Sequence, residues 1–381
     1  MTTTQAAIRP STTLAEQAPL LLTHVAGYVA HRTAAIGLRS GLIRALADPE
    51  GNAVGCTVHQ LAARLRLDPF PVGVWCRAAL AARLCEVATE APTDGSPADG
   101  TADPRTTLSG RASGTAWPDD TTVYRLAPHI ATLLTDRDHP AYLGGVVLAL
   151  EQPEVFDRFE SSLVTGNRMW WNDCRPEWID SVADTGAPFY RRLIPSGLER
   201  IPGLTGLLRT GCRVLDSACG AGGGLIALAR EYPRCEITGV DGDQQSLDRA
   251  QRNLGEAGLA GSVRLVHSAL EDLTADEPIA VVINNISMHE CRDIDGAIDR
   301  IRALLDSDGY FVISDFPFPD TVEALQSVPG RVMSGIQFFE AQIDDQLQPR
   351  AVYPALLQRK GFRDVDQFDI SPVHTVTFGR K

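Results

Sequence analysis

The sequence predicts an α/β chain: a helical domain in front, then a doubly wound, Rossmann-like sheet of mostly parallel strands. Three observations carry this. Residues 213–224 read RVLDSACGAGGG, an apolar strand end broken by a glycine cluster, and helical character resumes over 225–229. Residues 236–240 form the next strand, with Asp241 at its carboxyl end. From there strand-like and helix-like segments alternate until two consecutive strand-like runs close the chain. Strand, glycine turn and helix is the opening unit of a nucleotide-binding parallel sheet, and its turn stays small so that a ligand can lie on the backbone. An acid about twenty residues beyond such a turn accepts hydrogen bonds from ribose hydroxyls.

In chain order, Leu14, Ala18, Leu21, Leu22, Val25 and Val29 recur at helical spacing, and a second helix carries Ile36, Leu38, Leu42, Ile43 and Leu46. Thr57 stands three residues before Gln60, a capping box for a helix over 58–66. Asp68-Pro69 supplies an N-cap and a first-turn proline for a helix through 82. A strand-like run follows at 84–87. Together residues 12–134 suggest an all-helical, winged-helix-like domain. Its helix over 68–82 is apolar nearly all round (Val72, Val74, Trp75, Ala78, Ala79, Leu80), which favours packing or dimerisation over DNA reading. Residues 91–120, rich in Pro, Gly, Ser, Thr, Ala and Asp, read as a flexible wing loop, and 122–126 as its returning strand. Residues 140–203 read as a helical, aromatic-rich linker, and 204–381 as the nucleotide-binding domain. Within that domain strands are expected at 262–266, 279–283 and 310–314, with a closing hairpin from 362–368 and 375–378.

The chain has 381 residues, room for two domains, and 44% hydrophobic with 22% charged residues suits a soluble globular protein. A net charge of −13 argues against nucleic acid as the partner. The longest uncharged apolar run, 141–150, is too short to cross a membrane, and no secretory signal is visible at the start. The eight cysteines are irregularly spaced, with no Cys-x-x-Cys pair, and read as free thiols of a reducing cytoplasm.

The glycine turn is a poor dinucleotide fingerprint, because Ala218 stands where its first glycine would be. Val214, Leu215, Asp216, Cys219, Gly220 and Gly222 instead resemble the first motif of class I S-adenosylmethionine-dependent methyltransferases, V-L-D-x-G-C-G-x-G. The resemblance implies a seven-stranded methyltransferase sheet with S-adenosyl-L-methionine as cofactor. Gly220 and Gly222 would pass under its methionine part, beside Asp216 and Ala218, and Asp241 would hold the ribose. Ser268 and Ala269 stand where relatives place Asp-Ala near the adenine, and Asn284 ends the fourth strand. The front domain is similar to those that pair subunits in small-molecule methyltransferases, which implies a homodimer. The linker is similar to a substrate lid, with Trp170, Trp171, Asn172, Tyr190 and Arg191 as candidate substrate residues.

Ligands of open parallel sheets bind beyond the carboxyl ends of the strands, where His289 lies. Residues 288–293, MHECRD, resemble the Leu-His-Asp-Trp-x-Asp segment of winged-helix O-methyltransferases, whose histidine is the general base. An imidazole titrating near neutrality can take the proton of an acceptor hydroxyl, with Glu290 or Asp315 orienting the ring. The function expected is methyl transfer to a small-molecule acceptor of specialised metabolism. Two other readings use the same fold: ring closure of S-adenosylmethionine itself to an azetidine-type imino acid, and a ligand-sensing transcription regulator. His289, Glu290, Asp315 and His267 could also hold a metal, iron by their donor chemistry, for methylation of a 2-oxo acid. No ligand spacing compels one, so no metal site is assigned.

Overall fold

Thr13 accepts a hydrogen bond from the Glu16 backbone, and the Glu16 carboxylate accepts one from Thr13, a reciprocal cap that opens the first helix. The computed structural model describes residues 12–48, 55–88, 122–169, 171–275 and 277–381, in two units, Met1–Asp136 and Arg137–Lys381. The loop expected at 91–120 lies outside the described residues.

In the first unit α1 (Leu14–Arg39) runs unbroken where the sequence suggested two helices. Thr33, Ala34, Ala35 and Gly37 are its buried positions. Their small size lets another helix approach: the Trp75 indole donates to Thr33 O at 2.9 Å, and a β carbon on Gly37 would sit 2.5 Å from that ring. α2 (Leu42–Ala47) follows, then β1 (Cys56–Thr57), α3 (Val58–Leu65), α4 (Pro69–Ala81), β2 (Cys85–Val87), β3 (Val123–Leu126) and α5 (Ile130–Thr135). The Thr57–Gln60 capping box and the Asp68 N-cap form as the sequence indicates. Two expectations need correction. The domain is not all-helical, since three short strands pair antiparallel in the order β1-β3-β2. Nor is α4 buried all round, since Phe70 and Val74 are about half exposed.

In the second unit α6 (Gly144–Ala149), α7 (Asp157–Thr165), α8 (Pro176–Arg192) and α9 (Leu204–Thr210) precede the sheet. Within the expected helical linker, Trp171–Asp173 forms a single 3-10 turn. The sheet elements are β4 (Arg213–Asp216), α10 (Gly223–Glu231), β5 (Glu236–Asp241), α11 (Gln244–Glu256), β6 (Val263–His267), β7 (Ile279–Asn285), α12 (Ile294–Leu304) and β8 (Leu305–Asp315). After α13 (Val322–Gln326), α14 (Val328–Glu340) and α15 (Val352–Arg359), the hairpin β9 (Arg363–Ser371) and β10 (His374–Arg380) ends the chain.

The seven strands run β6-β5-β4-β7-β8-β10-β9. The first five are parallel, and β10 is antiparallel to both its neighbours. The chain winds outward from β4 to β6 and then returns to place β7 on the other side of β4. The crevice of a doubly wound sheet opens at that reversal. Strands buried on both faces read as near-continuous apolar runs, and Val281, Val282 and Ile283 are fully buried. One core packs Leu193, Leu198, Leu225 and Leu228 on one face of the sheet, and a second packs Met288, Ile298, Ile301 and Leu357 on the other.

Candidate active site

Gly220 (φ +49°) and Gly222 (φ +81°) take left-handed backbone after β4, as a tight turn into α10 requires. Cys219 N–H donates to Val240 O at 2.8 Å, tying the turn to β5. Asp241 then accepts from Gly220 N–H at 2.8 Å and from Asp243 N–H at 2.9 Å. Burial raises the Asp241 pKa, and these backbone donors oppose the shift. A β carbon on Gly220 or Gly223 would meet open space, whereas one on Gly224 would fall 2.1 Å from the Tyr190 ring. Tyr190 O–H also donates to Asp216 Oδ2 at 2.8 Å. Burial pushes the Asp216 carboxyl up to about 7 against that donor. Tyr190 and Asp216 therefore brace the turn from the α8 side.

The residues around this turn fit S-adenosylmethionine. At the reversal point Asn284 donates through Nδ2 to Ser217 Oγ at 3.0 Å, and its buried Oδ1 has no donor. That orphaned acceptor matches the ammonium of an amino-acid moiety, and the open faces of Gly220 and Gly223 leave room above the backbone. Ser268 N–H donates to Asp241 O at 3.1 Å, while its hydroxyl is spent on Ala269 O.

Beyond β7, Ile286 takes a left-handed φ of 49°, and the turn Met288–Glu290 carries Met288 and His289 inward. His289 Nδ1 lies 2.9 and 3.0 Å from the two oxygens of Asp315, at the end of β8. Asp315 is also held by Tyr353 O–H at 2.7 Å and by the Phe316 amide at 2.8 Å. Glu340 approaches from α14, with Oε2 3.7 Å from His289 Nε2. Burial disfavours a charged imidazole, but Asp315, with Glu340 and Glu290, overrides it and pushes His289 up to about 10. Burial raises Glu290 well above the ordinary range and Glu340 to about 7, with neighbouring carboxylates adding to both.

Among the remaining candidates, Trp171 packs on Phe339 with ring centroids 5.2 Å apart, inside a cluster with Trp178. Arg191 pairs with Asp138 at 2.7 Å. Trp170 and the side chain of Asn172 lie outside the described residues. Sequence reasoning missed Glu340 and Tyr353, which reach the site from α14 and α15. The available signal was an acid directly after the aromatic pair Phe338-Phe339.

Comparison with known proteins bears on the domain that carries these residues. Residues 208–359 match the family of methyltransferase domains. The release factor glutamine methyltransferase of Escherichia coli is 28% identical over 122 residues, 32% of this chain and 41% of that protein. The fatty-acid O-methyltransferase of Mycolicibacterium smegmatis is 30% identical over 129 residues, 32% of this chain and 46% of that one. The chain thus spans less than half the length of these curated relatives. Solved structures share the fold across nearly the whole chain. Human N-acetylserotonin methyltransferase in complex with SAM has a TM-score of 0.64 at 14% identity, covering 98% of this chain and 99% of that one. The mitomycin 7-O-methyltransferase MmcR has a TM-score of 0.65 at 13% identity, covering 96% and 98%. Motif, topology and family match agree that residues 208–359 belong to the methyltransferase domains, on a class I S-adenosylmethionine-dependent methyltransferase sheet.

Proposed function

We propose that the protein transfers the methyl group of S-adenosylmethionine to a small-molecule acceptor, in specialised metabolism. The observation that carries this reading is the common edge shared by two groups. The glycine turn and Asp241 end β4 and β5, and the His289–Asp315 pair follows the ends of β7 and β8, all on one carboxyl edge. The sulfonium makes its methyl carbon electrophilic, so the protein's main task is to align donor and acceptor and exclude water. His289 is the group that meets the acceptor. With its conjugate acid near 10 the ring is cationic at neutral pH, unlike the near-neutral base expected from the sequence, so it favours an acceptor that arrives as an anion and pairs with that oxygen.

The front unit supports a homodimer. Leu21, Leu22, Val25, Tyr28 and Val29 along α1 are each more than half exposed, which a second copy would cover. All eight cysteines are free thiols, in keeping with a reducing compartment. The deciding experiment is mass spectrometry of products from S-adenosylmethionine, alone and with a panel of phenols, amines and oxo acids. Acceptor-dependent S-adenosylhomocysteine is the expected product. Methylthioadenosine formed without an acceptor would instead establish ring closure.

A further inference from the structure

Glu340 closes α14, is 5% exposed, and its Oε2 accepts no hydrogen bond. A buried carboxylate without a donor is costly unless a charge compensates it. It faces His289 Nε2 at 3.7 Å, the ring nitrogen that Asp315 does not hold and whose proton a bound metal ion would displace. Asp315 is in turn fixed by Tyr353 and the Phe316 amide. Carboxylates orient metal-binding histidines in this way, setting the tautomer that leaves a lone pair on the outer nitrogen. Glu290, the next residue on the same turn, adds a third donor. One ligand atom from each of His289, Glu290 and Glu340 lies within 4.8 Å of the other two. Ligands held at about 2.1 Å in a tetrahedral site lie about 3.4 Å apart, so the cluster need contract by no more than about 1.4 Å.

We propose that His289 Nε2, Glu290 and Glu340 bind a divalent first-row transition metal, with Asp315 and Tyr353 orienting the histidine from outside the coordination sphere. One imidazole and two carboxylates suit Fe(II), Mn(II), Co(II) or Zn(II), and lack the thiolates that select Cu(I). The cation neutralises a site where Asp315, Glu290, Glu340 and Asp345 surround one imidazole. Three protein ligands leave positions open, and on the methyl-transfer reading those take the acceptor's oxygens. His289 is then a ligand, and the metal lowers the acceptor's pKa in place of a base.

The test uses full-length protein freed of metal by a chelator and titrated with Co(II). The expected result is one cobalt per chain, visible d–d absorption bands, and a Tm that climbs with cobalt concentration. Glu340→Gln removes a buried charge at nearly constant shape, so it should melt no lower than wild type when metal-free yet lose the bands. Glu290→Gln should also lose them, which keeps the test open should one variant fold poorly. Asp315→Asn should weaken cobalt binding about 10–100-fold. Absence of bands and Tm shift in wild type, or unaltered cobalt binding in both Gln variants, would overturn the site. Calorimetry with S-adenosylhomocysteine on the same samples separates the two readings. Nucleoside binding without cobalt binding sinks the metal site alone, and the converse sinks the methyl-transfer reading alone.

Discussion

Tyr190 donates its hydroxyl to Asp216 Oδ2 at 2.8 Å while its ring fills the space beside Gly224, so one side chain of α8 holds both ends of the cofactor turn. Tyr190→Phe strips a buried carboxylate of its side-chain donor and leaves only the longer bond from the Ala218 amide, which should cost about 1–3 kcal/mol in urea unfolding. The folded Asp216 titrates near 7, against about 3.9 in an unfolded chain. Its neutral form thus stabilises the fold fully below about pH 4, and that contribution is lost as pH rises through about 7. The tyrosine matters most once the carboxyl ionises, so the deficit of Tyr190→Phe should be larger at pH 8 than at pH 5. Equal deficits would show that the hydroxyl does not support the charge.

The two neighbouring glycines should behave differently. Gly224→Ala drives a β carbon into the Tyr190 ring, and overpacking of this kind costs about 1–3 kcal/mol. Gly223→Ala meets nothing within 4 Å and should fold normally. Thermal melts of the pair check this, and a Gly224→Ala protein as stable as Gly223→Ala would mean that Tyr190 moves aside freely.

Much of the frame was readable before any coordinates. The apolar run of β7 announces itself because both faces are buried, and the turn between β4 and α10 does so through its glycines. The pairing of His289 with Asp315 was readable in outline, since both follow strand ends that a doubly wound sheet brings together. Glu340 was not. It is set far down the chain on a helix between β8 and α15, and no local periodicity reveals which cavity a helix end enters. The aromatic residues misled for a related reason. Trp171 and Trp178 cluster on Phe339, a partner that sequence spacing cannot supply.

Cofactor and acceptor functions should separate by mutation. Asp241→Ala removes the carboxylate that fixes the Gly220 amide, and loss of charged hydrogen bonds worth about 1.5–3 kcal/mol corresponds to a ten- to hundredfold loss of S-adenosylhomocysteine affinity. Unchanged affinity by calorimetry would remove Asp241 from the binding site. His289→Ala should leave that affinity near normal while turnover falls at least tenfold, because the ring is held on the acceptor side by Asp315. Full turnover in this variant would place the acceptor elsewhere.

His374 supplies a second, opposite pH dependence. It is wholly buried on β10, with Nε2 2.6 Å from Ser314 Oγ, and the serine hydroxyl in turn donates to Asn285 Oδ1 at 2.7 Å. The serine proton is thereby committed, so His374 donates from Nε2, while its buried Nδ1 has no partner. Burial, reinforced by the Arg192 charge, pushes the His374 pKa down to about 3. An unfolded histidine titrates near 6.5, so between about pH 3 and 6.5 the unfolded chain binds the extra proton. The sign follows: stability tied to His374 is intact above about 6.5 and drains away on acidification, by at most about 1.4 kcal/mol per pH unit. Other buried groups superimpose their own slopes, so the comparison is with His374→Gln, which keeps a donor near the Nε2 position and cannot titrate. Wild type should lose stability relative to this variant as urea unfolding is repeated from pH 7 down to pH 4. A difference that stays flat across that window would mean that the imidazole finds a way to be charged inside the folded protein.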